Sequence, residues 1–234
     1  MDTDLQELSV GNDKSLTERD FAAINGIYNR YVKRIISFVL ALVLLIVLLP
    51  VYLIIAIAIV AESGFSVFYR GERGGYRGKS FRIFKFRTMV KNAELIGGGT
   101  TALNDSRITR VGKFLRKTKL DEIAQLINII KGEMCFVGPR PELKRYTDMY
   151  KDYELYILQV RPGITDFSSL EFINLDEIVG QENADQMYEE HVLRRKNQLR
   201  VYYAMNVSFV TDVKLFFKTI GKVFKKTYRL LFQR

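Results

Sequence analysis

Apolar and polar positions divide this chain into segments of different period. From Thr17 the residues Phe21, Ile24, Ile27, Tyr28 and Tyr31 recur at helical spacing and lead into Arg30, Lys33 and Arg34. Ile35 to Ala61 holds no charged residue, and Val39 to Leu49 is purely aliphatic, a composition that suits lipid. Phe65–Arg70 and Phe81–Met89 flank a Gly-rich basic turn and predict a β-hairpin. In its second arm Phe81, Ile83, Phe84 and Phe86 mix with Arg82, Lys85 and Arg87 at nearly period two. Ile123, Leu126, Ile127 and Ile130 mark one face of a short helix that stops at Gly132, with Thr118 as the expected N-cap and Asp121 completing an approximate capping box. Gly132–Val137 reads as a short extended segment, and residues 142–160 and 176–203 as helical. In the last segment Val213, Phe216, Phe217, Ile220, Val223 and Phe224 share a face, with Lys214, Lys218, Lys222, Lys225 and Lys226 largely around the other. Such a helix suits an anionic membrane surface, although packing on the domain satisfies the same pattern.

Pro50 interrupts the uncharged run and removes one helical hydrogen bond. A straight helix of about 26 residues reaches about 39 Å, enough to cross a hydrocarbon core of about 30 Å. A straight span would strand one of two basic clusters outside, either Arg30, Lys33 and Arg34 or Arg70, Arg73, Arg77 and Lys79. A segment broken at Pro50 instead enters one leaflet and returns. The pattern allows both, and Tyr52 is the one nearby polar group able to serve carbonyls freed by the break. The run is too long for a cleaved signal peptide.

The 234 residues carry a formal net charge of +10, which points to anionic partners: phosphorylated substrates, acidic lipid or nucleic acid. No recognition-helix pattern supports nucleic acid. One Cys, Cys135, excludes an internal disulfide, and one His, His191, lies in a charged helical stretch, so no His/Cys metal cluster can be assembled. Gly97-Gly98-Gly99 lacks the Lys-Ser/Thr ending of a P-loop and reads as a connector.

Asp121 and Glu122 fall in a first helical turn crowded by Arg116, Lys117 and Lys119. This is an ordinary solvated cap, or a carboxylate held ionised as a nucleophile or metal ligand at an anion-attracting helix entrance. Pro139 and Pro141 restrict Arg140, and Pro162 with Gly163 fixes Arg161, giving either rigid turns or phosphate-binding guanidiniums.

In fixed order, Tyr31-Val32-Lys33-Arg34, Pro50, Phe84–Met89, Leu115–Glu122, Gly138-Pro139-Arg140-Pro141 and Arg161–Thr165 resemble the bacterial sugar transferases that are small monotopic polyprenyl-phosphate phosphoglycosyl transferases. The resemblance implies an α+β, mainly helical protein with a re-entrant, proline-broken membrane helix, a small β-hairpin and amphipathic membrane-surface helices. The expected divisions are a lead-in at 1–34, the re-entrant helix at 35–61, a cytosolic catalytic domain at 62–205 and an interfacial helix at 206–234. The implied reaction transfers a phosphosugar from a UDP-sugar to polyprenyl phosphate, releases UMP and uses Mg2+, at the cytoplasmic face of the bacterial inner membrane. Asp121 is then nucleophile and metal contact, and Glu122 a base or orienting group. Arg116 and Arg140 hold phosphate, with Lys85, Arg87 and Arg161 as further substrate contacts, and the lipid tail enters beside the broken helix. Membrane lipid is a partner, nucleic acid is not, and homo-oligomerisation is open.

The chain departs from the family at Ser37, where many members have Asp, at Leu49, where they have Ser, and at Asp166–Asn174, which replaces a continuation that carries a nucleotide-associated arginine. The multi-span N-terminal domain of longer members has no counterpart in this sequence. A non-catalytic basic protein that binds the membrane surface is the competing reading.

Overall fold

The computed structural model describes residues 16–93, 105–173 and 184–232. The triple glycine at 97–99 lies outside them. Elements follow the chain as a 3-10 helix Glu18–Asn25, a π-turn Tyr28–Val32, α1 (Lys33–Ser63), β1 (Phe68–Arg73), β2 (Phe81–Phe86), α2 (Arg110–Thr118), a 3-10 helix Leu120–Gln125 and α3 (Leu126–Lys131). After them come β3 (Cys135–Val137), α4 (Lys144–Thr147), a 3-10 helix Asp152–Gln159, β4 (Gly163–Thr165), α5 (Phe167–Glu171), α6 (Ala184–Met187), a π-turn Tyr188–Leu193, α7 (Arg194–Met205) and α8 (Phe209–Phe232). The molecule is mainly helical, with β1 and β2 antiparallel (Phe68 opposite Phe86) and β3 parallel to β4 (Cys135 opposite Gly163).

Helix α1 runs through Pro50 as one element and is, among the described residues, the one helix long and apolar enough to cross a membrane. One face is buried at near-helical spacing, through Lys33, Ser37, Ala41, Tyr52, Ile55 and Ile59. The first half packs Ala41 against Leu126, Ile129 and Met134, and the second packs Ile55 and Ile59 against Phe86, Leu115 and Ala124. Val39, Val43, Ile46, Val47, Ile54 and Ile57 form an exposed apolar face, far more contiguous than a water-facing surface normally allows.

Both ends of α1 are tied to the same globular body. At the start, Lys33 Nζ lies 3.1 Å from Asp212 Oδ2 and 2.5 Å from the Tyr203 hydroxyl, while Arg34 donates to the carbonyls of Ile129 (2.6 Å) and Ile130 (2.9 Å), capping the C-terminal end of α3. At the finish, the Glu62 carboxylate accepts from Arg110 N (2.7 Å) and Val111 N (3.0 Å), the unsatisfied donors that open α2. In between, the Tyr52 hydroxyl donates to Ile123 O at 2.5 Å. Tyr52 therefore anchors the helix to the domain and does not serve the carbonyls around Pro50.

The expected start of the central helix needs correction. Val111 and Leu115 extend the preceding helix through Thr118, whose hydroxyl donates back to Phe114 O at 2.9 Å. Lys119 then turns the chain at φ 60, its N–H satisfied by Leu115 and Arg116 carbonyls, so Thr118 ends α2 and caps nothing downstream. Asp121 and Glu122 lie in the 3-10 turn that follows.

Candidate functional site

Strand β2 is fixed to α3 by Asn128, a buried amide that acts as a surrogate strand. Its Oδ1 accepts from Phe84 N (2.8 Å) and its Nδ2 donates to Arg82 O (2.9 Å). This register carries Lys85 to Glu122, with Nζ to Oε1 at 3.0 Å. Arg140 donates to the same oxygen through Nη2.

Arg140 is held by the meeting of two glycine-containing turns. A Cβ on Gly163 would lie 2.2 Å from Gly138 N, and one on Gly138 would lie 2.3 Å from Arg161 O, so only glycines permit the close backbone approach. Asp166 Oδ2 accepts from Arg140 N at 3.2 Å, and Arg140 Nη1 donates to Ile164 O at 2.9 Å. Asp166 is fully buried and also caps α5, accepting from Ser169 N at 2.7 Å and from the Ser168 and Ser169 hydroxyls. Its N-cap signal, an Asp followed three residues later by Ser, was readable in the sequence, but its bond to Arg140 was not.

Two residues after Arg140, Glu142 centres a second buried charge group. Arg200, with no exposed surface, donates to Glu142 Oε1 at 2.5 Å; Lys196 Nζ stands 3.8 Å from that oxygen, and the Tyr188 hydroxyl donates to it. Burial disfavours the Glu142 carboxylate, but Arg200 and Lys196 outweigh it and hold its pKa at about 2. Burial lowers the Lys196 pKa to about 8.

A cavity of about 1080 Å³ joins these groups. Asp121, Glu122, Lys85, Arg116, Arg140 and Lys196 line its polar region. Asp121 is 7% exposed, and its Oδ1 has no hydrogen-bond partner. Burial, reinforced by the Glu122 charge, raises its pKa. Glu122 goes the other way: burial opposes its charge, but Arg140 and then Lys85 hold its pKa well below the carboxylate range.

The remaining expected contacts are placed differently from one another. Arg116 Nε donates to Thr88 Oγ1 at 2.9 Å on the cavity wall. Arg87 borders the cavity, but its guanidinium donates to the carbonyls of Ser63 (3.0 Å), Gly64 (2.6 Å) and Phe65 (3.0 Å), capping the end of α1. Arg161 lies over the Tyr76 ring, 4.6 Å from its centroid, and is not among the residues that line the cavity.

The sequence profile of the family described as bacterial sugar transferase matches residues 28–226, which include every one of these groups. The chain belongs to this family. Among its relatives is a UDP-galactose-lipid carrier transferase of Erwinia amylovora, 35% identical over 189 residues that cover 74% of this chain and 36% of that protein. A UDP-N-acetylgalactosamine-undecaprenyl-phosphate N-acetylgalactosaminephosphotransferase of Aeromonas hydrophila is 35% identical over 174 residues, covering 73% and 38%. The exopolysaccharide production protein ExoY of Rhizobium meliloti is 35% identical over 186 residues, covering 73% and 76%. The aligned region of this sugar transferase thus spans little more than a third of the first two relatives and about three quarters of the third.

Proposed function

We propose that the protein is a phosphoglycosyl transferase that moves a phosphosugar from a UDP-sugar to a polyprenyl phosphate and releases UMP, through a covalent phosphosugar on Asp121. The observation that carries this reading is Asp121 Oδ1, a buried carboxylate oxygen without a partner in a cavity that also presents Lys85, Arg116 and Arg140. Relatives named as undecaprenyl-phosphate sugar phosphotransferases support the donor and acceptor classes.

In the first half-reaction the Asp121 carboxylate attacks the sugar-bearing phosphorus. The bond from that phosphorus to the bridging oxygen breaks, and UMP leaves with the electron pair. In the second, a phosphate oxygen of the polyprenyl phosphate attacks the same phosphorus and the Asp121 carboxylate departs, leaving a polyprenyl-diphosphate sugar. Two steps spare the site from holding two polyanions together. Arg140, Lys85 and Arg116 bind phosphate oxygens. Glu122, paired to two cations and strongly ionised, suits an orienting role for Lys85 and Arg140 better than that of a base.

The donor set suits Mg2+, which takes one or two carboxylates together with substrate phosphates, and Asp121, whose Oδ1 is unpartnered, would hold it. Bound there, it would offset the diphosphate charge. Among the described residues no cluster of three His, Cys, Asp or Glu is assembled, so phosphate oxygens and water would complete its shell.

The anchoring of both ends of α1 to one body supports a re-entrant segment; the UDP-sugar donor, a cytoplasmic metabolite class, is the reason for placing the catalytic domain on the cytoplasmic face of the bacterial inner membrane in this reading. The test is UMP release from a panel of UDP-sugars, with and without undecaprenyl phosphate. Wild type releases UMP stoichiometric with enzyme when acceptor is omitted, and Asp121→Asn releases none while staying folded. A fully active Asp121→Asn variant overturns the proposal and favours a non-catalytic membrane-surface protein.

A further inference from the structure

The cavity extends well beyond its charged floor. An apolar arm of its lining is made by Leu44 and Leu48 of α1, by Phe136 of β3, whose ring lies edge-on to that of Phe216 at 5.8 Å, and by Phe216, Ile220 and Val223 of α8. Positions 216, 220 and 223 fall on one helical face, and the stretch from Phe216 to Phe224 runs about 12 Å along the helix.

Helix α8 is fixed in this place by more than its apolar contacts. Thr219 Oγ1, between Phe216 and Ile220, shares a hydrogen bond of 2.7 Å with Thr165 Oγ1 beside the Arg140 turn. Lys222 Nζ reaches Leu170 O and Lys226 Nζ reaches Ile173 O, each at 3.3 Å. At its start, Asp212 joins the Lys33 and Tyr203 group that holds the beginning of α1. Sequence pattern left α8 a choice between membrane surface and domain. The structure divides it: Leu215 is buried, whereas Phe209, Val210, Phe217 and Phe224 are exposed.

The arm is thus lined by two helices that both carry exposed apolar residues, and the same cavity presents the cations around Glu122. A ligand that matches it has a phosphate head and a long uncharged hydrocarbon chain. We propose that the arm receives the first isoprenoid units of the acceptor, so that α8 acts as the element that selects the acceptor by its chain. This rests on the transferase reading above, and adds to it a wall outside the motifs that carry the chemistry.

The experiment measures KM with full-length protein in nanodiscs for isoprenyl phosphates of increasing length, from one isoprene unit to undecaprenyl phosphate. Wild-type KM falls as units are added until the arm is filled. Ile220→Trp fills the arm and raises KM for the long acceptors about tenfold, the effect of losing roughly two buried CH2 groups, which flattens the length dependence. Val210→Trp adds the same bulk on the exposed face and leaves the dependence as in wild type. Phe216→Ala, which removes bulk, serves as the second variant should Ile220→Trp fail to fold, and weakens the length dependence in the same sense.

An unchanged length dependence in the arm variants overturns the inference. So does an equal rise for every acceptor, which would mean an arm occupied by bulk-lipid chains or a simple loss of membrane attachment. The acceptor-free UMP burst keeps the two readings apart: a wild type without a burst counts against the covalent intermediate, whereas a bursting enzyme whose arm variants keep wild-type length dependence counts against the arm alone.

Discussion

Asp121 and Glu122 are sequence neighbours whose pKa values move in opposite directions. A 3-10 turn rotates successive side chains by about 120°, so one carboxylate faces Lys85 and Arg140 while the other keeps an unpartnered buried oxygen. Burial and the neighbouring charge raise the Asp121 pKa, and the two cations hold Glu122 down against the same burial.

This division predicts a pH profile. In the proposed mechanism Asp121 must be ionised to attack, so the single-turnover UMP burst is expected to fall as pH falls through a pKa raised above the ordinary 3.8. Glu122→Gln removes the nearby negative charge and releases Lys85 and Arg140 toward Asp121. The acid limb of the burst then moves to lower pH, even if the maximum rate drops. A limb that stays in place or moves upward contradicts the assignment.

The Glu142–Arg200 pair predicts an acid-labile fold. Its carboxylate is held at about 2 against an ordinary 4.5, so the stabilisation it contributes is complete above 4.5 and is lost as pH falls from there toward 2. The contribution is on the order of 3 kcal/mol. Glu142→Gln leaves the fully buried Arg200 unpaired and costs roughly 3–5 kcal/mol at neutral pH, while Glu142→Leu with Arg200→Met recovers some of that loss. Unfolding midpoints at pH 7 and between pH 5 and 2 measure both effects.

The regions of the molecule legible in the sequence are those written in local period. The hairpin follows from alternation around Phe81–Phe86, α3 from Leu126 and Ile130 with Gly132 at its end, and the long apolar helix α1 from an uncharged run. The Asp-Glu pair was visible as residues, although the helix assigned to it began in the wrong place because Val111 and Leu115 extend the previous helix to Thr118. What left no local trace is charge pairing over distance. Glu142 meets Arg200 across 58 residues, Lys33 meets Asp212 from the other end of the chain, and Asp166 holds Arg140 from 26 residues away. Arg87 illustrates the same difficulty: a cation in a promising motif spends its donors on three backbone carbonyls.

Gly112 and Gly221 make a matched pair for stability. A Cβ on Gly112 would lie 2.0 Å from Thr88 O, which itself accepts from Thr109 N at 3.0 Å, so Gly112→Ala must push these backbone segments apart. The expected cost is roughly 1–3 kcal/mol. Because Thr88 Oγ1 also receives Arg116, UMP release by that variant weakens through KM for the donor. Gly221 meets nothing within 4 Å, and Gly221→Ala in α8 is expected to stabilise by about 0.5–1 kcal/mol through helix propensity. Thermal unfolding of the two variants separates close packing from propensity.

The ties at the two ends of α1 predict where those ends stand relative to the membrane. Arg34 grips the end of α3 and Glu62 caps the start of α2, so the Lys33 and Ser63 ends of one apolar helix are bound to a single folded body. A helix that crossed the bilayer would put one of these contacts on the far side from the domain, and both could not form together. Arg30 and Lys79 are exposed and lie on either side of α1, while Cys135 is 1% exposed and contributes little background to thiol labelling. In membrane vesicles of known orientation, Arg30→Cys and Lys79→Cys are therefore expected to react with a membrane-impermeant maleimide from the same side. Reaction from opposite sides would show that α1 spans, and that the contacts at Arg34 and Glu62 do not coexist in the bilayer. Arg34→Ala in the same background should destabilise the fold by roughly 1–3 kcal/mol, because it leaves two partly buried carbonyls without their charged donor.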